Sequence, residues 1–186
     1  NASTSEGLFF ETINAAGVLQ VPMVISVWDD EYGISVHAKH QTTKENISEI
    51  LKGFQRDNKT KGYEIFRVNG WNYPELIDTY QRAAQISRKE HVPVMIHVQQ
   101  LTQPQGHSTS GSHERYKNQE RLAWEAEHDC NVQLRKWMIS NNIAKDEELT
   151  SIERGIKKAV REGKKAAWTS FINPILSESK EAVSLL

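Results

Sequence analysis

The sequence predicts an α/β fold, an open parallel sheet with flanking helices, followed by a helical C-terminal part. Two observations carry this. Helix-period and strand-like segments alternate over residues 6–98, and that alternation implies parallel strands joined by right-handed crossovers. From Asn118 onward the patterning is helical. A chain of 186 residues is long enough for one domain with a real core. We therefore divide it into an α/β core segment, 1–117, and a helical C-terminal region of the same domain, 118–186.

Taken in order, Ser3-x-x-Glu6 has the form of a capping box, with Ser3 as N-cap. Phe9, Ile13 and Ala16 then fall at helical spacing and predict a helix over 6–19. Residues 21–27 are short, apolar and rich in β-branched side chains, as in a strand covered on both faces. Residues 29–33 form the loop at its end. Thr43 is the expected N-cap of a helix over 44–54. Residues 63–68 read as a second strand, closed by the turn dipeptide Asn69-Gly70. Asn72 caps a helix with Pro74 in its first turn, running to about Lys89. Residues 93–98 (PVMIHV) are a third buried strand. Residues 99–117 are nearly devoid of aliphatic side chains, and a loop of that length in a compact domain is functional or disordered. Helices are expected over 132–141 and 146–171, with a weakly patterned tail after Pro174.

Composition narrows the function classes. The 23 basic and 24 acidic residues give a net charge of −1, unlike the basic excess of a general nucleic-acid binder. No apolar run approaches the ~20 residues that span a membrane. Cys130 is the single cysteine and cannot form an internal disulfide; a reducing, cytoplasmic setting is expected.

Ligands of open α/β sheets bind outside the carboxyl ends of the strands. The first helix start at 1–5, the acidic loop at 29–33 and the 99–117 loop are expected at that edge. A helix N-terminus attracts phosphate. Paired carboxylates beside a phosphate need a cation between them, and hard oxygen ligands suit Mg²⁺. His107 and the neighbouring hydroxyls would supply further donors. The residues thus sketch a magnesium–diphosphate site. Each piece also has a plainer reading. Asp29 and Asp30 could be solvated turn residues, Ser3 only a cap, and His107 solvent-exposed. His97 reads as a packed or hydrogen-bonded core residue. His37 and His40 stay unassigned. The five tryptophans read as core or interface, and the basic run from Lys157 to Lys165 as a solvated helix face.

Four blocks resemble the α-chain, or α-half, of thiamine-diphosphate-dependent 2-oxo acid dehydrogenases, the decarboxylating components of the pyruvate and branched-chain complexes. NASTSEGLFFETINAAGVLQVP is similar to that family's G-D-G-A-S/T-S-E-G helix start. VWDDEYGISV is similar to N-N-x-Y-A/G-I-S, FRVNGWN to x-V-D-G-x-D, and GHSTSGSHERYK to the G-H-S-x-S-D loop followed by Tyr-Arg. Relative to the family signature, Asn1 stands for the Asp, Ala2 for the second Gly, and Asp29-Asp30 for the paired Asn, with positions 3 to 28 filling the gap.

The resemblance implies that Asn1, Asp30 and the Tyr32 carbonyl hold Mg²⁺, one carboxylate and one amide in exchanged positions. Ala2, Ser3 and His107 would hold the diphosphate of thiamine diphosphate. Ser108 aligns with the serine that a kinase modifies in mitochondrial members. Gln103 replaces an Arg of those members, which puts one diphosphate contact in doubt. Gly111 replaces an Asp, which puts the loop's ordering contact in doubt. The implied reaction is decarboxylation of a 2-oxo acid and transfer of the acyl group to a lipoyl-bearing acyltransferase. H-S-T-S is closer to branched-chain members than to pyruvate members. The resemblance places the activating Glu on a β-chain or β-half in an α2β2-type assembly or a dimer of a fused chain. No catalytic residue is expected in this chain, which reads as part of a larger polypeptide and inactive alone. Two other readings are a Mg²⁺-dependent hydrolase or phosphotransferase with Asp29 as nucleophile and Asp30 as ligand, and a cofactor-free assembly module.

Overall fold

A computed structural model describes residues 1–107 and 112–185; the expectations for Ser108 and Gly111 lie outside the described residues. The chain forms two compact units, Asn1–Lys136 and Trp137–Leu186.

The first unit is built on a three-stranded parallel sheet. Its strands are β1 (Val24–Trp28), β4 (Glu64–Asn69) and β5 (Val94–Gln99), in the order β1-β5-β4. Between β1 and β4 lie a short antiparallel hairpin of β2 (Tyr32–Gly33) and β3 (Val36–His37) and a one-turn helix, α2 (Ile47–Ile50). The flanking helices are α1 (Gly7–Leu19) and α3 (Tyr73–Glu90). Among the described strands, β5 alone has a partner on each side. In register, His97 faces Val27 of β1 and Arg67 of β4.

The pleat sends alternate β5 side chains to opposite faces. Met95 joins Ile13, Ala16, Val27, Ile47, Leu51 and Tyr63 in one cluster, beneath α1 and α2. Val94, Ile96 and Val98 join Val68 and Ala83 in the other, beneath α3. This two-sided burial is what the apolar run at 93–98 predicts.

Several expectations need correcting. β1 is not covered on both faces. Val24 and Trp28 are 38% and 70% exposed, and only Val27 is buried. An apolar run does not encode the order of strands, and β1 is an edge. Its outer face carries polar contacts instead: Trp28 Nε1 donates to Ser26 Oγ at 2.8 Å, and Ser26 Oγ bonds Tyr80 Oη. Ser3 does not cap α1. It begins a 3₁₀ turn, Ser3–Ser5, and the α1 N-cap is Glu6 without a side-chain bond. The Thr4 and Ser5 hydroxyls instead donate to the Asn1 carbonyl at 2.9 and 3.2 Å. Thr43 is not a cap either, because Lys44 at φ 61° breaks the helical path. Asn46 caps α2, accepting from the Glu49 N–H at 3.1 Å. Asn72 does cap α3, as expected, with Pro74 in the first turn.

Two helices follow the long loop, α4 (Gln119–Glu127) and α5 (Cys130–Ser140). The second unit contains α6, which runs over Asp146–Ser184 and continues through Pro174, so the weakly patterned tail is helical.

Candidate functional site

The site forms where β1 and β5 end. The Asp29 N–H donates to the Val98 carbonyl at 2.8 Å, and the Leu101 N–H to the Asp29 carbonyl at 3.1 Å. This continues strand pairing past Trp28 and buries Asp29 and Asp30, 5% and 8% exposed. They are not solvated turn residues.

Asp29 is fully engaged. Its Oδ1 accepts from Asn1 Nδ2 and from the Glu31 N–H, both at 2.7 Å. Its Oδ2 lies 2.9 Å from His97 Nε2. Burial alone would raise this carboxyl. The hydrogen bonds from His97, Asn1 and Glu31, with the His97 charge, prevail and hold it below its ordinary value of 3.8. A carboxylate with both oxygens so occupied has no free edge for attack, which counts against the nucleophile reading of Asp29.

Asp30 is different. Its Oδ1 accepts from the Tyr32 N–H at 3.4 Å. Its Oδ2 is buried and accepts no hydrogen bond among the described residues; His107 Nε2 stands 3.2 Å away, close enough for an ion pair but not aligned as a donor. His107 Nδ1 is anchored at 3.1 Å on the Ile34 carbonyl. The preceding Gly106 takes φ +66°, where a Cβ would meet Tyr116 Oη at 3.1 Å and His113 Cβ at 3.2 Å. The structure thus brings Asp30 and His107 together, and Asn1 and Asp29 together. Asn1 bonds Asp29, not Asp30. With its NH₂ directed at Asp29, the Asn1 amide oxygen occupies the other branch and accepts no hydrogen bond among the described residues.

A cationic cluster lies behind this loop and was missed in the sequence. Lys117, with its side chain 1% exposed, pairs with both oxygens of buried Glu125 at 2.8 and 2.9 Å. Arg121 donates to Glu125 at 2.9 Å, to Glu31 at 2.5 Å and to the Asp30 carbonyl at 3.1 Å. It ties the acidic loop to α4. Tyr32, 8% exposed, packs under both cations, with Lys117 Nζ 5.2 Å and Arg121 Cζ 5.8 Å from its ring centre. The available signal was the four-residue spacing of Arg121 and Glu125, which puts them on one face of α4; Lys117 precedes the helix and is brought in by the loop.

His37 and His40 line a depression of about 670 Å³ beside Tyr32 and Arg121. Among the described residues no three or more His, Cys, Asp or Glu side chains group as a metal site. A cation here would rest on Asp30 with amide and carbonyl oxygens, and the buried, unbonded Asp30 Oδ2 fits such a role. Among the described residues no helix is long and apolar enough to cross a membrane.

The family model described as Dehydrogenase E1 component matches residues 1–174. The chain belongs to the Dehydrogenase E1 component family. Among its relatives is a protein named pyruvate dehydrogenase E1 component subunit alpha from Rickettsia bellii (strain RML369-C). It is 24% identical over 162 residues, 87% of this chain and 47% of that protein. One of the same name from Porphyra purpurea is 28% identical over 181 residues, 97% and 49%. A mitochondrial 2-oxoisovalerate dehydrogenase subunit alpha 1 from Arabidopsis thaliana is 25% identical over 169 residues, 90% and 34%. The chain thus spans half or less of the length of these three relatives.

Proposed function

We propose that this chain is the metal- and diphosphate-anchoring part of the α-half of a 2-oxo acid dehydrogenase that uses thiamine diphosphate and Mg²⁺. The observation that carries the reading is Asp30. A buried carboxylate oxygen without a hydrogen bond is costly, and a hard cation would satisfy it. Membership of the E1 family supports the same reading.

Asn1, Asp30 and the Tyr32 carbonyl would hold the metal. Ala2, Ser3 and His107 would hold the diphosphate. Thiamine diphosphate, when bound, supplies the electron sink for decarboxylation. The chain's own residues act around it. The Ile34 carbonyl fixes the His107 ring, Arg121 braces the acidic loop, and burial of Asp29 and Asp30 keeps water from that side of the site. The group that activates the aminopyrimidine would come from a β-half, and a lipoyl-bearing acyltransferase would accept the acyl group. A branched-chain 2-oxo acid is the favoured substrate on the H-S-T-S sequence at 107–110, with pyruvate as the alternative; two of the relatives above carry the pyruvate name.

Titration calorimetry with Mg²⁺ and thiamine diphosphate tests this, on the chain alone and with its partner half. Binding that disappears in Asp30→Ala is expected. Binding only with the partner would mark a site shared across the interface. No binding in either state overturns the proposal. Relative turnover of 3-methyl-2-oxobutanoate and pyruvate by the intact enzyme decides the substrate.

A further inference from the structure

Asp30 and His107 come from two different loops, and each loop is held from behind by its own cation. Arg121 Nη2 donates to the Asp30 carbonyl at 3.1 Å, and Nη1 pairs with Glu31. Lys117 Nζ donates to the Gln103 carbonyl at 3.4 Å. That carbonyl also accepts from the Gly106 N–H at 2.9 Å, and Gln103 Nε2 donates to the Gly106 carbonyl at 3.0 Å. Lys117 therefore holds the turn that delivers His107. Both cations end on one group. The Glu125 carboxylate takes Lys117 on both oxygens and Arg121 on Oε1.

We infer that Glu125 is a positioning residue, a buried clasp that links the acidic loop to the 103–107 turn and so fixes how closely His107 approaches Asp30. The linkage rests on the geometry alone; its consequence for cofactor binding rests on the function proposed above. The physical reason is charge. Two cations converge on one carboxylate away from water. With the carboxylate between them both are attracted; with it neutralised they repel. Arg121 would keep Glu31 as a counter-ion. Lys117 has no second carboxylate within ion-pair distance among the described residues, and a buried ammonium left without a partner is strongly disfavoured. It would turn out to water and release the Gln103 carbonyl. Two uncharged links also join the loops. The Leu101 N–H bonds the Asp29 carbonyl at their base, and His107 Nδ1 bonds the Ile34 carbonyl at the exposed rim. Glu125 is the charged, buried link between them.

Backbone ¹⁵N relaxation of the full 186-residue chain tests this, because it reads the folded state whatever stability a variant loses. In the parent, the amides of Glu31, Tyr32, Gly106 and His107 are expected near the rigid order parameter of about 0.85. Flexible values there overturn the clasp. In Glu125→Gln, which keeps the side-chain shape, all four are expected to fall together toward about 0.6 while the β5 amides hold. Loosening of one loop only, of neither, or of β5 as well overturns the inference. Arg121→Met is expected to loosen the acidic loop alone, and Lys117→Met the 103–107 turn alone. If either loosens both, the loops lean on each other directly and Glu125 is not the link. The His107 ring signals are expected to shift in Glu125→Gln; unmoved signals overturn the positioning role. Mg²⁺ with thiamine diphosphate, titrated with the partner half present, is expected to bind Glu125→Gln at least tenfold more weakly than the parent. Equal binding also overturns the positioning role. If the parent binds neither, the proposed function fails, while the relaxation data still judge the clasp. If Glu125→Gln does not fold, the two cation variants decide.

Discussion

Two adjacent aspartates do opposite things at the end of β1. Asp29 has both oxygens occupied; Asp30 keeps one buried oxygen without a donor among the described residues. The hydrogen bonds that depress Asp29 stabilise its charged form in the folded chain only. Its contribution is therefore complete above the ordinary carboxyl value and is lost as pH falls through the depressed one. Melting temperature followed from about pH 5 to pH 2 should fall less steeply in Asp29→Asn than in the parent. Lys117 and Glu125 form the most buried ion pair described. Lys117→Met leaves the Glu125 charge with Arg121 alone and should cost about 3 kcal/mol in denaturant unfolding. Removing both charges, as Lys117→Met with Glu125→Leu, should cost less than the single change.

Elements built on local signals were legible in the sequence. α3 carries its cap, its Pro74 and its apolar spacing within its own residues, and it forms as expected. Elements that depend on distant neighbours were not. The edge position of β1 is set by strand order, which no residue in the 21–27 run encodes. Thr43 and Asn46 are both good caps by type, and the left-handed Lys44 between them decides for Asn46. Asn46→Ala should cost about 1 kcal/mol and Thr43→Ala a few tenths at most, read from paired unfolding curves. The site divides in the same way. Asn1, Asp30 and His107 were marked by motif, whereas the partners of His97 lie 49 and 68 residues away in sequence and only the fold brings them together.

At the scale of the whole first unit, β5 is the shared member of both cores and both strand pairings. Ile96 is fully buried in one core and Val24 lies partly exposed on the edge. Ile96→Ala should therefore cost about 3 kcal/mol, and Val24→Ala less than about 1 kcal/mol. Equal losses would mean that the edge strand is covered in solution. The order β1-β5-β4 also imposes a schedule on biosynthesis. Neither outer strand touches the other, so the parallel sheet has no ladder to form until β5 is out of the ribosome. The acidic loop waits longer, for an arginine 91 positions downstream of Asp30. The acidic loop is thus made before β4 and β5 but completed after them, and a stalled intermediate would hold its carboxylates in water, uncommitted.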